Sequence, residues 1–147
     1  MVNLDIGGGK YDLGTEYAEE HGVRNIVHDI ENRSEEHNSN VERWLETNQP
    51  DTITISNVLN VIPDKRVRRI VLEFAKKNAG NSPVFIWVHE GEAKDRLKPF
   101  DPVMNAYRTS KGWQLYQKTE FYVPEVEDVF PYVERHGKLI VASVKPF

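Results

Sequence analysis

Residues 2–9 read VNLDIGGG, a short apolar run that ends in three consecutive glycines. A run of this length, bounded by a glycine turn, is typical of a buried strand over residues 2–6. Glycine lets the backbone turn tightly and approach a ligand closely. Amide groups after such a turn point at whatever lies above the start of the next helix. The stretch therefore predicts a strand, a ligand-binding turn and a helix in succession.

Strand and helix patterns alternate along the rest of the chain. Further strands are predicted at 25–30, 52–55, 84–88 and 139–144. Helices are predicted at 14–21, 34–47, from Pro63 onwards and at 124–134, with a loop and one helical turn over 89–112. The helix after Pro63 is expected to bury a stripe of four apolar residues, namely Val67, Ile70, Val71 and Phe74. This alternation predicts one α/β domain over residues 1–147, with a mostly parallel sheet and helices on both faces.

Composition excludes several classes of protein. The chain has 147 residues, of which 39% are hydrophobic and 29% charged, as in an ordinary globular domain. It contains no cysteine, which excludes disulfides, cysteine-ligated zinc and a cysteine nucleophile, and no metal site is expected. The net charge of −4 argues against non-specific binding of nucleic acid. No apolar run approaches the roughly 20 residues of a membrane span, and no signal peptide pattern precedes residue 2, so we expect a cytoplasmic protein.

An acidic residue at the tip of the second strand adds to the glycine turn. Asp29 lies 22 residues after Gly7, and an acid at about this spacing accepts hydrogen bonds from ribose hydroxyls. The pair predicts a nucleoside ligand. Dinucleotide sites have a further glycine where this chain has Asp12, whose charge would oppose a pyrophosphate. S-adenosylmethionine carries no phosphate and is compatible with this acid, so it is the favoured ligand.

Three segments resemble a known family. Residues 4–9, LDIGGG, resemble the first motif of class I methyltransferases, and Asp29 falls at the position of their ribose-binding acid. Residues 51–62, with the core VLNVI, and residues 109–116, TSKGWQLY, are similar to segments of methyltransferases associated with DNA phosphorothioation systems. The resemblance implies a Rossmann-like three-layer α/β/α sandwich. One helix fills the gap where methyltransferases usually have an extra strand, so the sheet is expected to be a strand short and to lack an N-terminal covering helix.

The resemblance also implies roles for individual residues. The residues expected to bind the cofactor are Asp5, Gly7, Gly8, Gly9, Tyr11, Asp29, Ile30, Ser56, Asn57 and Val58. The candidate catalytic residues are Asn57, His89 and Glu90, of which the last two end the fourth strand. The residues expected to contact the substrate are Asn60, Lys111, Trp113 and Gln114.

The expected activity is transfer of a methyl group from S-adenosylmethionine to an acceptor, which is either a small molecule or a nucleic acid. Three alternatives stay open at this point: a non-catalytic module that binds the cofactor, an enzyme that degrades S-adenosylmethionine, and a nucleotide-dependent oxidoreductase. A homo-oligomer or a partner subunit is expected to close the site, and no contact with a membrane is expected.

Overall fold

A six-stranded sheet and four α-helices form most of the computed structural model, which describes residues 1–147. The helices are α1 (Leu13–Glu20), α2 (Glu35–Thr47), α3 (Lys65–Ala79) and α4 (Thr119–Glu127). The strands of the large sheet are β1 (Val2–Ile6), β2 (Arg24–His28), β3 (Thr52–Ser56), β4 (Val84–Trp87), β8 (Tyr132–His136) and β9 (Leu139–Ser143). A second sheet contains β5 (Phe100–Asp101), β6 (Ala106–Thr109) and β7 (Gly112–Leu115).

The order of strands in the large sheet is β2-β1-β3-β4-β9-β8. The first four are mutually parallel, and β9 runs antiparallel to both of its neighbours. The connection from β2 to β3 contains one helix, α2, and no further strand that could pair with the outer side of β2. As a result, β2 forms one edge of the sheet. The predicted mostly parallel α/β fold is confirmed. Because the four parallel strands end at the same edge, the segments that follow them lie side by side.

One face of this sheet, here called the apolar face, carries the core. Its strand residues include Leu4, Ile53, Ile55, Ile86 and Ile140, all with no exposed surface. Three helices, α2, α3 and α4, cover this face and contribute to the same core cluster. Burial of this apolar surface is the main stabilising contribution to the fold.

The opposite face, here called the polar face, carries amide, carboxyl and hydroxyl groups on β1, β2 and β3, whereas β4 places Phe85 and Trp87 on it. Asn3 donates to Asn25 Oδ1 at 2.8 Å and to Thr54 Oγ1 at 2.9 Å, and it accepts a hydrogen bond from Thr52 at 2.8 Å. Only α1 lies over this face, where Thr15 accepts a weak hydrogen bond from Asn25 at 3.3 Å. The side chains of α1 are all at least partly exposed, so this helix adds little to the core.

The buried side of α3 differs from the predicted stripe. Ile70 and Val67 are 67% and 43% exposed, whereas Arg68 and Leu72 are buried. Arg68 forms two hydrogen bonds with Glu125 of α4, at 2.8 and 3.1 Å. The side of α3 that carries this buried ion pair therefore faces α4. The predicted core positions Val67 and Ile70 are therefore wrong.

The second half of the chain contains more structure than the sequence predicted. Residues 89–112 contain the one helical turn that the sequence predicts, a 3-10 helix (Ala93–Leu97), but they also contain two strands of the small sheet that it does not predict. The helix predicted at 124–134 is found at Thr119–Glu127 instead, and β8 follows it. Pro124 lies inside this helix, where its missing N–H removes a single hydrogen bond. No helix has the length and apolar character that crossing a membrane requires.

Candidate functional site

The glycine turn after β1 packs against two neighbouring side chains. Gly7 has a φ of +73°, and a methyl group at this position would lie 2.5 Å from Cγ2 of Val58. A methyl group at Gly8 would lie 2.5 Å from Oδ2 of Asp5. Residues with a side chain are therefore excluded at Gly7 and Gly8 by contact with Val58 and Asp5. The backbone of the turn itself forms the surface at these two positions.

Asp29 follows β2 and holds the glycine turn in place. Its carboxylate accepts hydrogen bonds from the amide groups of Gly9, Glu31 and Asn32 and from the Asn32 side chain, at 3.0–3.1 Å. Burial of Asp29 opposes ionisation, but these hydrogen bonds outweigh it and hold the pKa below its usual value. Asp29 is therefore an ionised acceptor directly beside the turn.

Arg33 binds the same turn from the other side. Its Nε donates to Gly9 O at 2.7 Å, its Nη2 donates to Tyr11 O at 3.2 Å, and the guanidinium lies 2.9 Å from Asp12 Oδ1. These contacts, together with the hydrogen bond from Gly9 N to Asp29, attach the glycine turn to the residues that follow β2. Arg33 is not predictable as a site residue, because nothing in its local sequence links it to a turn 24 residues earlier.

Asp5 lies beneath Gly8 on the polar face. It accepts hydrogen bonds from Thr54 at 3.2 Å and from Asn25 at 3.4 Å. Burial raises its pKa above the usual value, although these hydrogen bonds act in the opposite direction. The two predicted cofactor-binding acids, Asp5 and Asp29, therefore differ in environment.

The segment after β3 lies next to the glycine turn. Ser56 and Asn57 are exposed, and Asn57 has a φ of +57°, which is uncommon for a residue other than glycine. Its amide donates to Trp87 O at the end of β4 at 2.8 Å. Asparagine adopts this conformation more readily than most residues, as Asn105 also does with a φ of +52°, and the catalytic role of Asn57 stays a prediction.

The two candidate catalytic residues after β4 differ in their exposure and in their hydrogen bonds. His89 is exposed. Glu90 Oε2 accepts hydrogen bonds from the amide and the hydroxyl of Thr119, at 2.8 and 3.0 Å, and Lys138 lies 3.6 Å from its other oxygen. The amide of Thr119 is the main cause of the lowered pKa of Glu90. Glu90 therefore stabilises the start of α4 and is poorly suited to accept a proton.

The predicted substrate-binding residues do not form one surface. Asn60 and Gln114 are buried, and the Asn60 amide donates to Gln114 Oε1 at 3.1 Å. Gln114 in turn donates to His89 O and Leu115 O, so in the free chain this pair joins β7 to the end of β4. Lys111 is exposed in the turn between β6 and β7, and Trp113 lies under the guanidinium of Arg108.

Two further predicted cofactor-binding residues flank the glycine turn and the tip of β2. Tyr11 is 69% exposed and Ile30 is 78% exposed. Their side chains therefore border the surface above the turn and are free to contact a ligand. Asn32 supplies two of the four hydrogen bonds to Asp29, and its position three residues later is typical of a turn that an aspartate side chain closes.

Solved structures that share this fold are methyltransferases. An O-methyltransferase family protein from Burkholderia thailandensis has a TM-score of 0.54 and 15% identity, over 95% of this chain and 49% of its own. An O-methyltransferase family 2 protein from Planctomyces limnophilus, in complex with apigenin, has a TM-score of 0.56 and 15% identity, over 97% and 50%. The complex of DhpI with SAH (S-adenosylhomocysteine) has a TM-score of 0.50 and 13% identity, over 99% and 76%.

These likenesses show the fold of the chain, which is that of class I methyltransferases. The chain spans about half the length of the two O-methyltransferases. No protein-family model and no curated protein sequence matches it.

Proposed function

We propose that the chain binds S-adenosylmethionine across the carboxyl ends of β1, β2 and β3 and transfers its methyl group to an acceptor. The observation that supports this proposal most is the contact between Asp29 and the glycine turn at Gly9, on a fold shared with methyltransferases. A fold alone does not define an activity, so the proposal depends on this site.

The residues at this edge fit the ligand. Asp29 is an ionised acceptor that can exchange its bond to Gly9 N for bonds to ribose hydroxyls. A methyl group at Gly9 would meet nothing within 4 Å, so the surface above it is free to receive a ligand. The bound cofactor supplies a methyl group on a sulfonium, which is already activated for transfer. The chain's contribution is then to align the acceptor and exclude water, and we assign the alignment to Asn57.

A proton must leave the acceptor only if the acceptor carries one. His89 is our candidate to receive it, since it is exposed at the end of β4, whereas Glu90 is engaged by Thr119. We consider two classes of acceptor. A small hydroxylated molecule agrees with the O-methyltransferases that share the fold. Nucleic acid agrees with the motif resemblance to methyltransferases associated with DNA phosphorothioation.

Calorimetric titration with S-adenosylmethionine and S-adenosylhomocysteine tests the binding step. We expect micromolar binding to the unaltered chain and a loss of affinity of about tenfold or more in Asp29→Asn, since each hydrogen bond to a charged group contributes roughly 1.5–3 kcal/mol. Asp128→Ala is the matched control, because Asp128 is exposed at the end of α4. No binding of either ligand to the folded chain would contradict the proposal.

A non-catalytic module that binds the cofactor is the second candidate. It is favoured by the single helix on the polar face. Turnover separates the candidates: methyl transfer yields S-adenosylhomocysteine only when an acceptor is present, degradation yields another product without one, and a binding module yields neither. Competition by a nicotinamide cofactor would instead indicate the oxidoreductase.

A further inference from the structure

The outer edge of β2 carries backbone groups that no strand pairs. Arg24 N donates to Met1 O at 3.0 Å and His28 O accepts from Gly7 N at 2.7 Å, so both residues direct their backbone groups towards β1. Residues of a parallel strand direct these groups to alternate sides. Asn25 and Val27 therefore direct theirs to the outer side, here called the β2 edge.

Side chains of α2 occupy part of the β2 edge. The Asn38 amide donates to Asp29 O at 2.9 Å and accepts from Asp29 N at 3.0 Å, as a peptide group of a neighbouring strand would. The His37 Nε2 group contacts Val27 O at 2.7 Å. The groups left without a partner in the chain are the N–H and C=O of Asn25 and the N–H of Val27. Unpaired backbone groups of this kind are a template for another strand.

A cleft of about 340 Å³ lies along this part of the edge, between α1 and α2. This volume is at the lower end of the roughly 300–1,000 Å³ in which proteins hold ligands. Thr15 and Glu19 line it on the side of α1, and Val41 and Trp44 line it on the side of α2. The open backbone groups of Asn25 therefore lie at the bottom of a recess.

The opposite edge of the sheet has a different composition. It is formed by β8, which follows Pro131 and carries the charged or polar residues Glu134, Arg135 and His136. Proline and charged side chains discourage pairing at an exposed edge. The two edges of the sheet therefore differ in their capacity to accept a further strand.

We propose that the β2 edge binds an extended segment of another polypeptide, which adds a strand to the sheet at Asn25 and Val27. Strand addition of this kind obtains its affinity from main-chain hydrogen bonds. A second copy of this chain does not fit, because in a two-fold contact the recessed β2 edge of one copy would have to face the recessed β2 edge of the other. The flanking helices α1 and α2 would then collide before the two β2 strands met.

The walls of the cleft define the chemistry of the segment. Side chains of an added strand alternate between the two faces. On the side of α1 they meet Thr15 and Glu19, and Glu19 is the carboxylate of the lining that forms no ion pair, since Asp12 is paired with Arg33. On the side of α2 they meet Val41 and the half-buried Trp44, with the guanidinium of Arg24 5.8 Å from the centre of the Trp44 ring. The segment that fits alternates basic and apolar residues.

Amide hydrogen exchange of β2, measured by NMR, tests the proposal with a seven-residue peptide of alternating lysine and valine. In the free chain Ile26, paired with β1, is expected to exchange slowly, and Asn25 and Val27 to exchange fast. Saturating peptide is expected to slow exchange at Asn25 and Val27 by about tenfold or more and to leave Ile26 unchanged. Glu19→Lys is expected to weaken this protection, whereas the control Glu127→Lys, on the exposed side of α4, is not.

Three comparisons complete the test, and none requires the methyl donor. A peptide N-methylated at alternate residues is expected to give no protection, and equal protection by it would overturn strand addition. Protection by a glutamate–valine peptide but not by the lysine–valine peptide would overturn the assigned chemistry. No change at Asn25 and Val27 with any peptide, or protection that rises with protein concentration alone, would overturn the proposal as a whole.

Discussion

The two faces of the six-stranded sheet are made by the same strands but differ in chemistry. In β3, Ile53 and Ile55 point to the apolar face and have no exposed surface, whereas Thr52 and Thr54 point to the polar face and form hydrogen bonds. Three helices cover the first face and only α1 covers the second. The comparison indicates that the fold is stabilised mainly at the apolar face. The polar face is therefore available for residues that shape the glycine turn.

The ion pair between α3 and α4 should give the largest effect, since it is buried within the layer of helices on the apolar face. Arg68→Ala leaves the Glu125 carboxylate buried without its partner and is expected to lower the free energy of unfolding by about 3–5 kcal/mol. Denaturation in urea measures this change. Arg69→Ala, one residue further along α3 and exposed, is the control and should have almost no effect. A small loss in Arg68→Ala would mean that the two helices are held by apolar contacts alone.

Neighbouring residues of β3 compare the two faces directly. Ile55→Ala removes a buried side chain from the apolar face and is expected to cost about 2–5 kcal/mol. Thr54→Ala removes hydrogen bonds with Asn3 and Asp5 on the polar face and is expected to cost about 1 kcal/mol. Urea denaturation of both variants measures the two losses in the free energy of unfolding, which can then be compared. Equal losses would show that the polar face stabilises the fold as much as the apolar face does.

The two acids near the glycine turn should respond to pH in opposite directions. The pKa of Asp29 is lower in the folded chain, so its stabilising contribution is present above its usual pKa of about 3.9 and is lost as pH falls through the folded value. The pKa of Asp5 is raised in the folded chain, so acidification towards its usual value favours the folded state there. Carboxyl-carbon NMR titration would measure both values.

A variant separates the contribution of Asp29 to stability. The free energy of unfolding of Asp29→Asn is expected to be lower than that of the unaltered chain by about 1–3 kcal/mol at neutral pH. The difference should shrink below the usual pKa of the carboxyl group. A difference that persists unchanged at pH 3 would contradict the assigned direction of the pKa shift.

The smallest effect is expected on the exposed side of α3. Ile70→Ser should change the free energy of unfolding by no more than about 0.5 kcal/mol, because Ile70 is 67% exposed. Leu72→Ala, on the buried side of the same helix, is the matched comparison and should cost about 2–5 kcal/mol. A larger loss for Ile70→Ser than for Leu72→Ala would restore the stripe that the sequence predicted.

The first part of the fold could be predicted because its signals are local. Apolar runs bounded by glycine or proline mark β1, β3 and β4, and helical spacing marks α2 and α3. The buried side of α3 could not be predicted in this way, because it depends on Arg68 pairing with Glu125, 57 residues later. The small sheet was missed because β5, β6 and β7 are four residues long or shorter and contain no sustained apolar run.

The candidate site was predictable where spacing carries the information. The glycine turn and Asp29 follow the ends of two parallel strands, which the alternation of elements brings together. The role of Arg33 depends on a side-chain orientation that the sequence does not display. The hydrogen bonds among Asn3, Thr52 and Thr54 had a visible signal in the alternation of polar and apolar residues along β1 and β3.

The absence of any buried side chain in α1 has a consequence for how the molecule resists proteolysis. Detaching this eight-residue helix exposes little apolar surface, so the opening is only weakly promoted by urea, and its free energy is well below that of the whole fold. A protease should therefore cut first between the glycine turn and β2, at a rate that depends little on denaturant. The segment that shapes the site would then be the first to become disordered while the core remains intact.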